Sequence, residues 1–368
     1  MEVLKLMNSN PQWRDVLRAD PYNITIKEDG ELVLLKYSQI DSDFNLPIVR
    51  ECRGSIFAYE EKYDTWVCVR RAFDKFGNYG ESYVPEIDWS TASVQEKIDG
   101  SLMSVWNYKG EWHLSTNGTI DAFKAPLGDT GMTFGDYFLE ALGCSWNTFV
   151  GQLLTSFCCT YELVGPLNRV VVPYPKAVLY AIGQREMITW FECEYDGPVG
   201  AEYNIWLPKR YNLRSLNEVI KVAEHMSKDE EGFVICDGNF NRIKVKSPEY
   251  LMAARLHNNG VITKKRLVEI ILTEKVDDFI SYCPMYGARI LEMEDKIKKM
   301  VNEITSELDV VEDNHYFSLS RAEYANKIKE FKFKHFLFGA YDGKHSNVKD
   351  YVYSMRPEQI LRLLGEFE

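Results

Sequence analysis

The sequence predicts an α+β domain built on antiparallel sheets over residues 1–252, followed by an all-α domain over residues 253–368. Three observations predict it. At 368 residues the chain is long for one core and short for three. Its first 250 residues alternate short apolar runs with turn signals. After that the apolar residues change period, from two to three or four.

The strands follow in order. Leu32 to Leu35 comes after the turn Glu28-Asp29-Gly30. Ser55 to Ala58 and Thr65 to Val69 flank an acidic turn, Glu60 to Asp64. Leu102 to Tyr108 and Glu111 to Ser115 flank Lys109-Gly110, a hairpin pattern. Ala177 to Ile182 adds another strand. Phe233 to Cys236 and Arg242 to Val245 make a last hairpin around Asp237-Gly238-Asn239. A helix is expected from Thr133 to Leu142, with Gly143 as its stop. Further on, Ile290, Met293, Ile297, Met300, Ile304 and Leu308 form a helical apolar face. Lys264 to Leu272 and Glu358 to Leu364 also read as helices. There is no internal repeat and no low-complexity linker.

Composition narrows the function classes. The net charge is −12, against a histone-like or nonspecific nucleic-acid binder. A cleft can still be basic on an acidic protein. The eight cysteines contain no CxxC pair, and Cys158 and Cys159 are adjacent. Buried free thiols in a reducing cytoplasm are the expectation. No leader is visible between Met1 and Asn10, and no run approaches 18 apolar residues, so no membrane span is expected. The six histidines lack ligand spacing.

The chemistry centres on Lys97-Ile98-Asp99-Gly100. Lys-x-Asp-Gly is the pattern of enzymes that carry a nucleotide on a lysine. A lysine nucleophile must lose its proton, and its ordinary pKa is about 10.4. Nearby cations help. Lys244 and Lys246 lie two apart in a strand, hence on one face. Such a face can bind a triphosphate, or it can simply be solvated. Glu231 opens the strand Gly232 to Ile235 and can meet metal or lysine, or be an exposed turn glutamate. Glu162 sits in the apolar run Phe157 to Val164, where a carboxylate needs a partner. A ribose hydroxyl and a structural ion pair with Arg169 are equal candidates. Arg53 before Gly54, and Lys75 between Phe73 and Phe76, are candidate phosphate contacts.

The ordered set of Arg-Gly, Lys-x-Asp-Gly, strand glutamate, Glu-Gly and Lys-x-Lys resembles the covalent nucleotidyltransferase superfamily of polynucleotide ligases and capping enzymes. Four stretches sharpen the resemblance to phage-type RNA ligases, the RNA ligase 1 branch. They are Arg50 to Gly54, Phe73 to Asn78, Glu162 to Val171, and Lys244 to Ser247. Tyr37 followed by Leu46-Pro47 also looks alike.

The resemblance implies an α+β nucleotidyltransferase domain with Lys97 as the AMP-accepting lysine. It implies nucleotide binding by Tyr37, Arg53, Lys75, Asp99, Gly100, Glu162, Glu231, Lys244 and Lys246. Tyr37, Arg53 and Lys75 would hold the triphosphate tail, and Gly100 would permit close backbone approach. ATP and Mg²⁺ follow as cofactors, with metal ligands unassigned. RNA with 5′-phosphate and 3′-hydroxyl ends follows as substrate, tRNA among them. An end-healing polynucleotide kinase-phosphatase follows as partner, and a cytoplasmic monomer as the working form.

One departure stands out. The family's basic residue after the nucleophile is Asn117 here, before Gly118-Thr119. In the last third, Lys327, Lys329, Lys332 and Lys334 alternate with Ile328, Phe331, Phe333 and Phe336. That suits RNA contacts, or an amphipathic helix with wet lysines. Two rivals to the ligase remain: a GTP-using capping-type guanylyltransferase, and a non-catalytic RNA-binding protein on a ligase scaffold.

Overall fold

A computed structural model describes residues 1–39, 41–128, 130–250, 264–272, 276, 280, 284–345 and 347–366. The chain divides into two compact units, Met1–His257 and Asn258–Glu368.

The first unit holds three sheets. Strands β1 (Ile24–Asp29), β2 (Leu32–Tyr37), β3 (Arg53–Glu60) and β4 (Thr65–Arg70) form an antiparallel meander. The second sheet runs β10 (Glu192–Cys193), β9 (Val178–Glu186), β8 (Phe157–Val164), β6 (Ser101–Tyr108), β7 (Glu111–Thr116). A short strand β11 (Ile205–Trp206) joins β9 in parallel. The third sheet runs β12 (Arg210–Tyr211), β5 (Ser93–Glu96), β13 (Gly232–Cys236), β14 (Arg242–Lys246).

Alternating side chains decide how these sheets pack. On β3, Ile56 and Ala58 join Trp106 and Cys158 in a core between the first and second sheets. Phe57 points the other way, onto Val3, Trp13 and Leu17 of the N-terminal helices Glu2–Ser9 and Trp13–Arg18. On β8, Cys159, Tyr161 and Leu163 pack on Tyr137, Phe138 and Phe149. Each such buried side chain contributes roughly 1.5–3 kcal/mol. The expected helix spans Phe134–Ala141 and starts in a capping box between Thr133 and Asp136. It ends two residues before Gly143, because Leu142 is already extended.

The third sheet buries Phe233, Ile235, Ile243 and Val245 against Val219 and Ala223 of helix Leu216–Ala223. Lys244 and Lys246 therefore leave the opposite face of β14. The expected strand at Ala177 to Ile182 runs further, as β9, because Glu186 still pairs with Phe157.

The second unit is helical where described. Helix Pro284–Asp313 buries Ile290, Met293, Ile297, Met300 and Ile304. Leu308 is only half-buried, and Val311 takes the next inward position. The lysine-rich stretch is not one helix. Helix Arg321–Ile328 ends before a turn, and helix Lys334–Tyr341 follows it. The Glu307 carboxylate accepts from the backbone amides of Lys332 (2.8 Å) and Phe333 (2.9 Å) in that turn. Phe333 and Phe336 are core, while Lys327, Lys329, Lys332 and Lys334 are exposed. The amphipathic reading holds for these aromatics, and the stacking reading fails for Phe333 and Phe336 because their faces are already covered.

Among the described residues, no helix is long and apolar enough to cross a membrane. The seven described cysteines are free.

Candidate active site

Lys97 to Gly100 is the link between two sheets. β5 ends at Glu96 in the third sheet, and β6 begins at Ser101 in the second. The Lys97 backbone N–H donates to Gly232 O at 2.8 Å, which holds the start of the link against β13. Lys97 Nζ lies 2.7 Å from Glu231 Oε2. Lys246 Nζ approaches Oε1 of the same carboxylate at 3.2 Å. Glu231 and Lys246 side chains are 3% and 7% exposed, while Lys97 keeps 21% and is the member a solute can reach. Glu231 is therefore not an exposed turn residue, and Lys246 is not a solvated one.

Asp99 does something different from its neighbour Lys97. Its Oδ2 accepts from the backbone amides of Val171 (2.8 Å) and Val172 (2.9 Å). Its Oδ1 accepts from the Tyr250 hydroxyl at 3.0 Å. With 4% exposure, this carboxylate anchors the segment after β8 and residue 250 to the link that carries Lys97. A charged acceptor for two amides is a strong tie. Gly100 is required by packing. A Cβ there would stand 2.4 Å from Leu163 O and 2.7 Å from Val164 Cγ1, so the close approach seen is to β8.

Glu162 lies opposite Leu102 of β6. Burial pushes its carboxyl up to about 7, and Glu231 and Asp99 push the same way, while Lys97 and Arg53 pull it down. Those influences put Glu162 within the field of Lys97. The alternative ion pair with Arg169 is not formed. Arg169 Nε donates instead to Val171 O at 3.0 Å, and no ion pair joins the two.

The remaining candidates collect around the segment Phe73 to Asn78. Arg71 grips Asp74 with two bonds, 3.0 and 2.7 Å. Lys75 N–H donates to Arg50 O at 2.9 Å. Asn78 then bridges to Lys244 of β14, with Lys244 N–H donating to Gly77 O at 2.9 Å. Lys75 Nζ is thereby set over Tyr37 (5.4 Å) and Phe44 (4.5 Å). Phe76 carries Arg53 at 5.2 Å and Lys244 at 5.8 Å. Tyr37 and Lys75 form one group, and Arg53 and Lys244 share the Phe76 ring. Both flank the same short segment.

Sequence reasoning missed Arg70. This arginine ends β4, is fully buried, and among the described residues meets only neutral acceptors: Gly54 O, Arg53 O at 3.4 Å, Ser104 Oγ at 2.7 Å and Asn117 Oδ1 at 3.1 Å. Burial lowers it to about 10. Among the described residues no carboxylate pairs with it, and it lies behind Arg53 and beside Asn117. Gly54, with φ +74°, allows this, since a Cβ would strike Asn117 O at 2.4 Å. Lys36 is the second omission, its Nζ lying where a Gly118 side chain would stand. The only sequence signal was the Arg70-Arg71 pair closing an apolar strand.

Together these groups can hold a polyanion near an amine and keep the amine oriented. Comparison with known proteins is consistent with that chemistry. Residues 51–250 match the family model described as RNA ligase. A protein of Autographa californica nuclear polyhedrosis virus, described as a bifunctional polynucleotide kinase/RNA ligase, is 30% identical over 78% of this chain and 43% of its own length. The chain thus spans less than half of that relative. An RNA ligase of Rhodothermus phage RM378 is 25% identical, over 92% of this chain and 91% of its own. Among solved structures, an archaeal ATP-dependent RNA ligase aligns over 82% of both chains with 13% identity and a TM-score of 0.46. The family match covers more than half of the sequence and every candidate residue from Arg53 to Lys246, and the chain belongs to the phage-type RNA ligase family.

Proposed function

We propose that this protein is an ATP-dependent RNA ligase that works through a lysyl-AMP intermediate. The observation that carries the reading is the Lys97–Glu231–Lys246 contact at the junction of two sheets. Lys97 is the attacking amine. A proton leaves Nζ, a P–N bond forms at the α-phosphorus of ATP, the α–β P–O bond breaks, and pyrophosphate departs. Glu231 orients Nζ for that attack. Lys246 shares the Glu231 carboxylate and so stands beside the reacting phosphate, where its charge stabilises the charge that builds. Lys244, Arg53, Lys75 and Tyr37 hold the triphosphate tail, and Glu162 accepts from a ribose hydroxyl.

An RNA 5′-phosphate then takes the AMP from Lys97, regenerating the amine. Attack by an RNA 3′-hydroxyl seals the strand and releases AMP. Most of the acceleration is positioning and electrostatics.

A magnesium ion fits this donor set as a guest of the phosphates. Among the described residues no cluster of three or more His, Cys, Asp or Glu is arranged to hold a metal. Magnesium commonly keeps waters and takes one or two carboxylates plus phosphates. Glu162 is the carboxylate that would face the ion, since both Glu231 oxygens meet lysines, and the ion would neutralise phosphate charge. RNA repair, with tRNA as one substrate and a kinase-phosphatase partner, fits the family and the bifunctional viral relative. The unit Met1–His257 is the adenylyltransferase in this reading, and Asn258–Glu368 confers RNA specificity.

Incubation with α-labelled ATP and Mg²⁺ tests the central step. The wild type should retain a covalent label that is acid-labile and alkali-stable, as a P–N bond requires, and Lys97→Ala should not. An unlabelled wild type sinks the proposal, and label from GTP alone would move it to a guanylyltransferase.

A further inference from the structure

A cavity lies at the far end of β14 from Lys97. It holds about 660 Å³, within the span of ligand pockets. Five basic side chains line it, against two carboxylates, Asp74 and Glu192, a net of +3 on a chain of net −12. Asp74 is taken by Arg71, and Glu192 is shared by Arg185 and Arg242. Two cations are left over. Among the described residues, the Arg50 side chain meets only the carbonyls of Phe44 (2.6 Å) and Asn45 (3.0 Å), and the Lys75 side chain meets only ring faces. Unpaired charges in a concave site favour an anion.

The rim is aromatic. Phe191 is 63% exposed and stands edge-on to Phe240, with ring centroids 6.1 Å apart. The loop presenting it is fixed. Arg185 Nη1 donates to Trp190 O at 2.7 Å, and the Glu186 carboxylate accepts from Ile188 N–H at 3.1 Å. A rigidly held, solvent-facing phenyl ring beside unpaired cations has no core to serve. It offers a face for a base.

One wall of the cavity, Arg242, shares a face of β14 with Lys244 and Lys246. Lys246, Lys244 and Arg242 leave the same face of β14 in succession. At about 3.3 Å per residue, Arg242 lies roughly 13 Å along the strand from Lys246. Phe76, which lines the cavity, also carries Lys244 Nζ at 5.8 Å.

We propose that this cavity binds the terminal nucleotides of single-stranded RNA, with a backbone phosphate on Arg50 and an unstacked base on Phe191. The inference rests on the reading of the chain as an RNA-joining enzyme. A single strand is required, because a base must leave its stack to reach an aromatic face.

The test uses the full-length chain with Phe191→Ala and Phe191→Trp. Binding of a fluorescent 5′-phosphorylated single-stranded RNA is measured beside self-labelling with α-labelled ATP. Loss of one stacked base predicts a rise in Kd of about tenfold for Phe191→Ala, since stacking contributes about 1–3 kcal/mol per base. Phe191→Trp should restore affinity, and ATP labelling should be unchanged in both. Unchanged RNA affinity in Phe191→Ala overturns the inference. So does a raised KM for ATP with RNA affinity intact, which would give the cavity to the triphosphate. A wild type that binds RNA through Phe191 but takes no label would overturn the ligase reading alone.

Discussion

At the scale of single residues, two groups carry consequences for pH and charge. Glu162 is held up to about 7 by burial, above its ordinary 4.5. The folded protein therefore keeps this proton to higher pH than the unfolded chain. Stability contributed by the neutral carboxyl is full below about pH 4.5, is lost as pH rises through about 7, and then levels off. The span is at most about 3 kcal/mol. Glu162→Gln should lose less stability than the wild type between pH 5 and pH 8 in parallel thermal melts, and equal slopes would contradict the assignment. Arg70 is the other case. Its cation is buried among neutral acceptors, next to Arg53 and Asn117. Arg70→Met removes that charge and leaves Ser104 and Asn117 short of a donor, at about 1–3 kcal/mol for each unmet group. We expect a lower melting temperature and a raised KM for ATP in self-labelling. Asn117→Lys on the Arg70→Met background should recover the KM if the positive charge is what matters.

At the scale of elements, the site depends on two strand-to-strand joints. Gly100 must lack a side chain where β6 meets β8. Gly100→Ala puts a Cβ against Leu163 O, costing about 1–3 kcal/mol as the strands shift apart. Labelling of Lys97 should fall more than tenfold even at temperatures where circular dichroism still shows a folded protein. Asp99→Asn replaces an acceptor of two amides and a hydroxyl with a group that is half donor. The 171–172 segment and Tyr250 should come loose from Lys97, with a loss of about 3 kcal/mol, read as a lower denaturant midpoint. Asp99 thus acts as a positioning residue.

At the scale of the whole molecule, each unit has its own apolar interior. The three sheets and every candidate site residue fall within Met1–His257. A chain ending at His257 should fold and accept label from ATP, because nothing that touches Lys97 among the described residues lies beyond it. Failure of the purified fragment to label would show that the helical unit is needed for the first step. The full chain, despite its charge of −12, should bind RNA with a log–log salt slope of about −2, as expected for roughly three neutralised phosphates on a single strand.

Much of this was legible in the sequence because it is local. Turn dipeptides separate strands, a two-residue alternation puts Lys244 and Lys246 on one face, and Lys-x-Asp-Gly singles out Lys97 as the candidate nucleophile. Order along the chain carried the family. The tertiary structure decided what depends on residues far apart meeting. Asp99 became an anchor because Val171, Val172 and Tyr250 arrive from elsewhere with three donors. Arg70 came to Asn117 across 47 positions of chain. Phe333 and Phe336, which read as base-stacking candidates, were claimed by the helical core. A sequence states which groups are available and on which face of an element they fall. Only packing decides which of them meet, because burial and pairing are set by neighbours that the linear order does not place side by side.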